Sequence, residues 1–137
     1  MKLLDTNVLV KWGNPQEQHT VIPYLERHAE DRFVTSSLVV FEFFRPAKRR
    51  DNSGEVQAWL GRALDGVEPF TEDAATKAAG VEGSLAEQDV NLPLRDLLIA
   101  AHADALGATF VTFDKGEFQS QPVQQLLDVD VLSDGND

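Results

Sequence analysis

An α/β fold on a mainly parallel sheet is what this sequence predicts. Short apolar, partly β-branched runs at residues 2–4, 33–35 and 109–112 have the length and composition of buried strands. Longer segments with helical spacing of their apolar residues separate them, and strands alternating with helices wind into parallel sheets. The chain has 137 residues, one domain's worth, and 42% hydrophobic against 26% charged residues marks a globular chain rather than a disordered one. A single domain over residues 1–132 with an acidic tail at 133–137 is expected.

The elements follow in order. The run at 2–4 ends at Asp5, and a helix over 7–12 stops at Asn14-Pro15. Val21, Ile22, Leu25 and Ala29 give residues 16–31 a helical spacing. After the strand at 33–35, Ser36 or Ser37 caps a helix carrying Leu38, Val39, Val40, Phe41, Phe43 and Phe44. Pro46 cannot donate to the carbonyl of Glu42, so that helix is expected to kink or end there. Asn52-Ser53-Gly54 is a turn, 55–64 a helix and 67–70 a strand-like connector. Thr71 or Asp73 caps an Ala-rich helix to residue 87. Pro93 opens another helix, which stops at Gly107. The strand at 109–112 runs into Phe113-Asp114, and 130–132 is a last strand.

With no cysteine, disulfides, thiolate catalysis and zinc–thiolate sites are excluded. No apolar run reaches the roughly 18 residues of a membrane span, and the charged opening Met1-Lys2-Leu3-Leu4-Asp5 does not read as a signal peptide. A cytoplasmic protein is therefore expected. Twelve basic against 23 acidic residues give a net charge of −11, which repels nucleic acid at long range. Yet Arg45, Lys48, Arg49 and Arg50 place four of the twelve basic residues within six positions.

Open α/β sheets bind ligands outside the carboxyl ends of their strands. Asp5 and Asp114 each follow a strand, although either also reads as a helix cap or turn residue. Glu42 lies in an unusually apolar helix, where an ion pair with Arg45 or Arg49 on the same face would explain it. Asp96, in the first turn of the helix after Pro93, reads alone as a complement to the helix dipole. Taken together, four converging carboxylates need protons or a cation, since two unit charges 4 Å apart repel by about 4 kcal/mol at an effective dielectric near 20. Hard oxygen donors without cysteine suit Mg²⁺ or Mn²⁺, and such an ion suits phosphoryl chemistry.

These segments resemble the PIN-domain ribonucleases, most closely the VapC-type toxins of toxin–antitoxin pairs. The resemblance runs through Leu4-Asp5-Thr6-Asn7-Val8-Leu9, then Thr35-Ser36-Ser37 leading to Glu42. It continues through Leu94-Arg95-Asp96-Leu97-Leu98-Ile99-Ala100-Ala101-His102-Ala103 and ends in Phe110-Val111-Thr112-Phe113-Asp114-Lys115-Gly116-Glu117-Phe118. It implies a three-layer fold with a four- to five-stranded sheet and helices on both faces. It implies an endoribonuclease using Mg²⁺ or Mn²⁺, with Asp5, Asp96 and Asp114 as metal ligands and Glu42 in the same pocket, through water or directly. Asn7, Thr112 and Thr6 would support those carboxylates, and Glu117 would be a further acid. Arg45, Lys48 and Arg49 would contact RNA phosphates. A cognate antitoxin and a homodimer are implied as partners. Pro46, just after Glu42, departs from the family's smooth helix. A signalling receiver domain or an Asp-x-Asp phosphatase needs a second acid where this chain has Asn7. A non-catalytic PIN-like binding module is the alternative that keeps every acid. His19 and His28 are isolated, His102 reads as structural, and Trp12 and Trp59 read as core, Trp12 and Phe44 alternatively as cover for a partner interface.

Overall fold

The structure, a computed structural model, describes residues 1–134. Five parallel strands form one sheet in the order β3-β2-β1-β4-β5, with β1 at Lys2–Leu4, β2 at Phe33–Ser36, β3 at Gly66–Glu68, β4 at Thr109–Thr112 and β5 at Val129–Val131. The three central strands are the most apolar. Leu3, Leu4, Val34, Phe110 and Val111 are fully buried, as expected for strands covered on both faces. The segment at 66–68, expected only as a connector, is a full edge strand registered against β2.

Between β1 and β2 run α1 (Thr6–Trp12), a 3₁₀ turn at Gln18–Thr20 and α2 (Ile22–Arg27). The expected single helix over 16–31 is thus two shorter pieces, because Pro23 fixes a helix start inside it. Between β2 and β3 lie α3 (Ser37–Arg49) and α4 (Ser53–Ala63). Between β3 and β4 lie α5 (Glu72–Ala86) and α6 (Leu94–Ala105). Two short helices, α7 (Lys115–Phe118) and α8 (Gln121–Leu126), which the sequence pattern does not announce, lead to β5. Gly107 takes the positive φ of 69° just past α6 that closes the helix.

Pro46 does not end α3, which continues to Arg49. The proline is exposed on the helix surface, and bonds resume beyond it from the Arg50 amide to the Pro46 carbonyl and from the Asn52 amide to the Ala47 carbonyl. Interior proline costs about 3 kcal/mol. Here the packing of α3 against α1 and α4 supplies the opposing stabilisation.

Successive crossovers step from β1 to β2 to β3, and the chain then returns across the sheet to β4 and β5. With right-handed crossovers, this reversal puts α1–α4 on one face and α5–α8 on the other. The grouping of contacts agrees: α3 packs on α1 and α4, and α5 on α6 and α8. The reversal falls between β1 and β4, so the crevice outside their carboxyl ends is the place where such sheets take ligands. At the other extremity Asp134 pairs with Lys11 at 3.1 Å. Residues 135–137 of the expected tail lie outside the described residues.

His102 sits on the buried side of α6, 1% exposed, with its Nδ1 2.9 Å from Ser36 Oγ and its ring edge-on to Phe70. Burial pulls its pKa below the usual 6.5, against the opposing charge of Glu68. The folded state therefore keeps the ring neutral while the unfolded chain protonates. That stabilisation is complete above the unfolded pKa and is lost as pH falls through it toward the folded value. Urea unfolding at pH 7.5 and 5.5 should show wild type losing more stability than His102→Gln, with an excess slope of at most about 1.4 kcal/mol per pH unit. Equal pH slopes for the two proteins would contradict this.

Candidate active site

Asp5 leaves β1 directly, and its amide is still held to the sheet by the Val111 carbonyl of β4 at 2.9 Å. Its side chain is 1% exposed, a burial that a carboxylate tolerates only when partnered. Oδ1 accepts from the Thr6 amide at 2.8 Å and from Arg95 Nη2. Oδ2 accepts from Thr112 Oγ1 at 2.8 Å. The helix-capping reading of Asp5 is thus realised together with its place in the crevice.

Thr112, the fully buried last residue of β4, has every hydrogen-bonding capacity of its hydroxyl in use. It donates to Asp5 and accepts from Asn7 Nδ2 at 3.2 Å and from the Asp114 amide at 3.1 Å. Asn7 in turn accepts from the Phe113 amide at 3.1 Å. This chain of bonds locks the turn after β4 to the start of α1. Asp114 caps α7 through Oδ1 and the Glu117 amide at 3.1 Å. It is the Glu117 backbone, not its carboxylate, that enters this network.

The centre of the crevice is held by a residue that sequence reasoning passed over. Arg95 Nε donates to Glu42 Oε1 at 2.9 Å and Oε2 at 2.8 Å, and Nη1 donates to Asp96 Oδ1 at 2.7 Å. Nη2 donates to Asp5 and to Thr6 Oγ1, the latter at 2.8 Å, and the threonine hydroxyl donates to Glu42 Oε1 at 2.8 Å. One guanidinium therefore ties together carboxylates from β1, α3 and α6. Glu42 pairs with Arg95 rather than Arg49. Asp96 makes no capping bond at the α6 N-terminus, where Pro93 holds the cap position. A signal was present in the sequence: Arg95 lies in the first turn of a helix, where the dipole disfavours a cation. A basic residue there needs an anionic partner from elsewhere in the fold.

The titration behaviour follows. Burial by itself would raise the pKa of Glu42. Hydrogen bonds from Arg95 and Thr6, with the charges of Arg95 and Arg45, outweigh it and hold the carboxyl below its usual range. Asp96 moves the other way: burial dominates, the charges of Asp5 and Asp114 add to it, and Arg95 only partly offsets them. Burial would lower the pKa of Arg95, but its bonds to Glu42, Asp5 and Asp96 more than reverse this and keep it protonated. Asp114 is tied to this cluster through its amide, which donates to the Thr112 hydroxyl that also holds Asp5, and its charge helps raise the pKa of Asp96. Of the basic cluster, Arg45 is near enough to act on Glu42, and its guanidinium lies 5.5 Å from the Phe41 ring centroid. Lys48 and Arg49 are exposed in the last turn of α3, complementing its dipole.

By donor chemistry the crevice suits a hard divalent ion, all four acids being oxygen donors without a competing thiolate. As arranged around Arg95, no three Asp, Glu or His side chains among the described residues form a ready ligand set. No helix among those residues is long and apolar enough to cross a membrane.

A family model for the PIN domain matches residues 2–122. The chain belongs to the PIN domain family. Solved structures share its fold. VapBC2 from Rickettsia felis bound to a promoter DNA fragment superposes with a TM-score of 0.76 at 22% identity, covering 96% of this chain and 98% of that one. FitAcB from Neisseria gonorrhoeae gives 0.76 at 22% identity, covering 99% of each chain. VapC20 from Mycobacterium tuberculosis, described as a sarcin-ricin loop cleaving toxin, gives 0.57 at 19% identity, over 80% of this chain and 87% of that one. No curated protein sequence matches significantly.

Thr112→Val would leave Asp5 Oδ2 buried without its donor and break the tie to Asn7. The expected loss is about 1–3 kcal/mol, read as a lowered urea midpoint. A change below about 0.5 kcal/mol would show that Thr112 does not hold Asp5.

Proposed function

We propose that this protein is a metal-dependent endoribonuclease that hydrolyses RNA phosphodiester bonds and acts as the toxin of a toxin–antitoxin pair in the cytoplasm. The observation that carries the reading is that Asp5, Glu42 and Asp96, distant along the chain, meet on one guanidinium at the carboxyl edge of the sheet, with Asp114 linked to Asp5 through Thr112. Its family supports this, as do the VapBC and FitA-type complexes among its structural neighbours.

Asp5, Asp96 and Asp114 would hold Mg²⁺ or Mn²⁺, with Glu42 joining directly or through water. Such an ion, when bound, polarises the phosphate and makes a bound water acidic. The protein's own part is positioning. Thr112 and Asn7 fix the orientation of Asp5, and Thr6 fixes Glu42. Arg45, beside Glu42, together with Lys48 and Arg49, offers phosphate contacts on an otherwise repelling surface. Kinship with the neighbouring toxin–antitoxin complexes supports an antitoxin as partner, and the family resemblance implies a second copy of this chain.

A second reading, a non-catalytic PIN-like binding module, is favoured by one feature: Arg95 already neutralises part of the acid cluster. Incubating the protein with tRNA and rRNA in Mn²⁺, with and without chelator, separates the two. Asp5→Asn and Asp96→Asn should each abolish cleavage while circular dichroism stays unchanged, and chelator should do the same to wild type. Full activity in either variant would reject the nuclease assignment, and an inert wild type would favour the binding module.

A further inference from the structure

We propose that Arg95 is a built-in counter-cation that competes with a divalent metal ion for the carboxylates of the cup. Metal binding then requires its guanidinium to leave. This rests on the reading of the cup as a metal site and adds an inhibitory state encoded within the chain itself.

Arg95 and an ion would compete for the same space and charge. A carboxylate oxygen offers two in-plane acceptor sites. Asp5 Oδ1 has both in use, one for the Thr6 amide and one for Arg95 Nη2. Glu42 has both oxygens engaged by Arg95 Nε, and Oε1 also receives Thr6. Asp96 Oδ1 is taken by Nη1. Because Arg95 bonds Asp5, Glu42 and Asp96 at once, its guanidinium fills the space between them where an ion bridging the three acids would sit, and two cations cannot share one seat. Arg95 brings one positive charge to three bonded acids, with Arg45 adding a second beside Glu42, so a doubly charged ion in place of the guanidinium would neutralise the cup further.

The guanidinium also has a way out. The Arg95 side chain is 35% exposed, and α6 does not depend on it for a cap. Arg95 itself lines a groove of about 270 Å³ whose apolar walls include Leu38, Phe41, Leu94 and Leu98, with Glu42 and Arg45 at its polar side. The aliphatic stem can lie along such a surface with its charged head in water. The four charge-assisted bonds to three carboxylates that are lost to the metal are thus replaced by hydration rather than by a buried unpaired charge.

The test is Mn²⁺ binding followed by electron paramagnetic resonance of the free ion, on wild type and Arg95→Gln, with thermal unfolding in parallel. Arg95→Gln should bind Mn²⁺ at least tenfold more tightly than wild type. Its unfolding midpoint should fall without metal and recover when Mn²⁺ is added. If the glutamine variant is unfolded without metal, Arg95→Lys serves, because one ammonium cannot span three carboxylates, and it too should bind more tightly than wild type. Equal or weaker affinity in the folded variant, with wild type binding measurably, would overturn the competition and leave the metal site standing. No binding by either protein at millimolar Mn²⁺ would overturn both. Loss of the tight binding in Asp5→Asn/Arg95→Gln would confirm that the ion sits in this cup.

Discussion

A carboxylate that is 1% exposed at the end of a central strand imposes a condition on everything around it. Ionised Asp5 in that position needs donors on both oxygens and a positive charge within reach. The Thr6 amide and Thr112 hydroxyl supply the donors, and Arg95 supplies the charge. Because Arg95 also engages Glu42 and Asp96, the demand of one buried acid fixes how α3 and α6 meet the carboxyl edge of the sheet. Removing one partner from such a network is usually far more damaging than the net stability the network confers, so the cluster acts as a constraint on geometry more than as a source of stability.

The topology makes the cluster possible. Strand order reverses between β1 and β4, and helices diverge from that seam to opposite faces. Acids at the ends of β1 and β4 and near the start of α6 therefore open into a common crevice. Glu42 reaches it from the second turn of α3, whose N-cap, Ser36, also bonds the buried His102 of α6. The same serine thus helps set the angle between the two helices that carry Glu42 and Asp96.

Much of this was legible from sequence. The apolar runs mark β1, β2 and β4, and the positions of Asp5 and Asp114 after strands point to the correct edge of the sheet. Local signals were weaker elsewhere. Pro46 is a breaker by rule, but packing of α3 overrides local propensity. The helix at 16–31 divides at Pro23, because a proline that fits a first turn starts a new helix. The edge strand at 66–68 has too few residues to show a period. Arg95 was readable only as a cation in an unfavourable place, since two of its carboxylate partners, Asp5 and Glu42, come from elements whose meeting with α6 is a tertiary fact. The Asp96 role could not be separated from capping until Pro93 was found to hold the cap position.

The central claim is that one guanidinium binds Asp5, Glu42 and Asp96 at once, and nuclear magnetic resonance of the arginine side chains tests it most directly. The Arg95 Nε–H, donating to both oxygens of Glu42, should give a resolved ¹H–¹⁵N signal that exchanges slowly with water. Glu42→Gln should shift that signal and speed its exchange. A rapidly exchanging Nε–H indifferent to the Glu42 substitution would mean that the cup is not organised around this arginine.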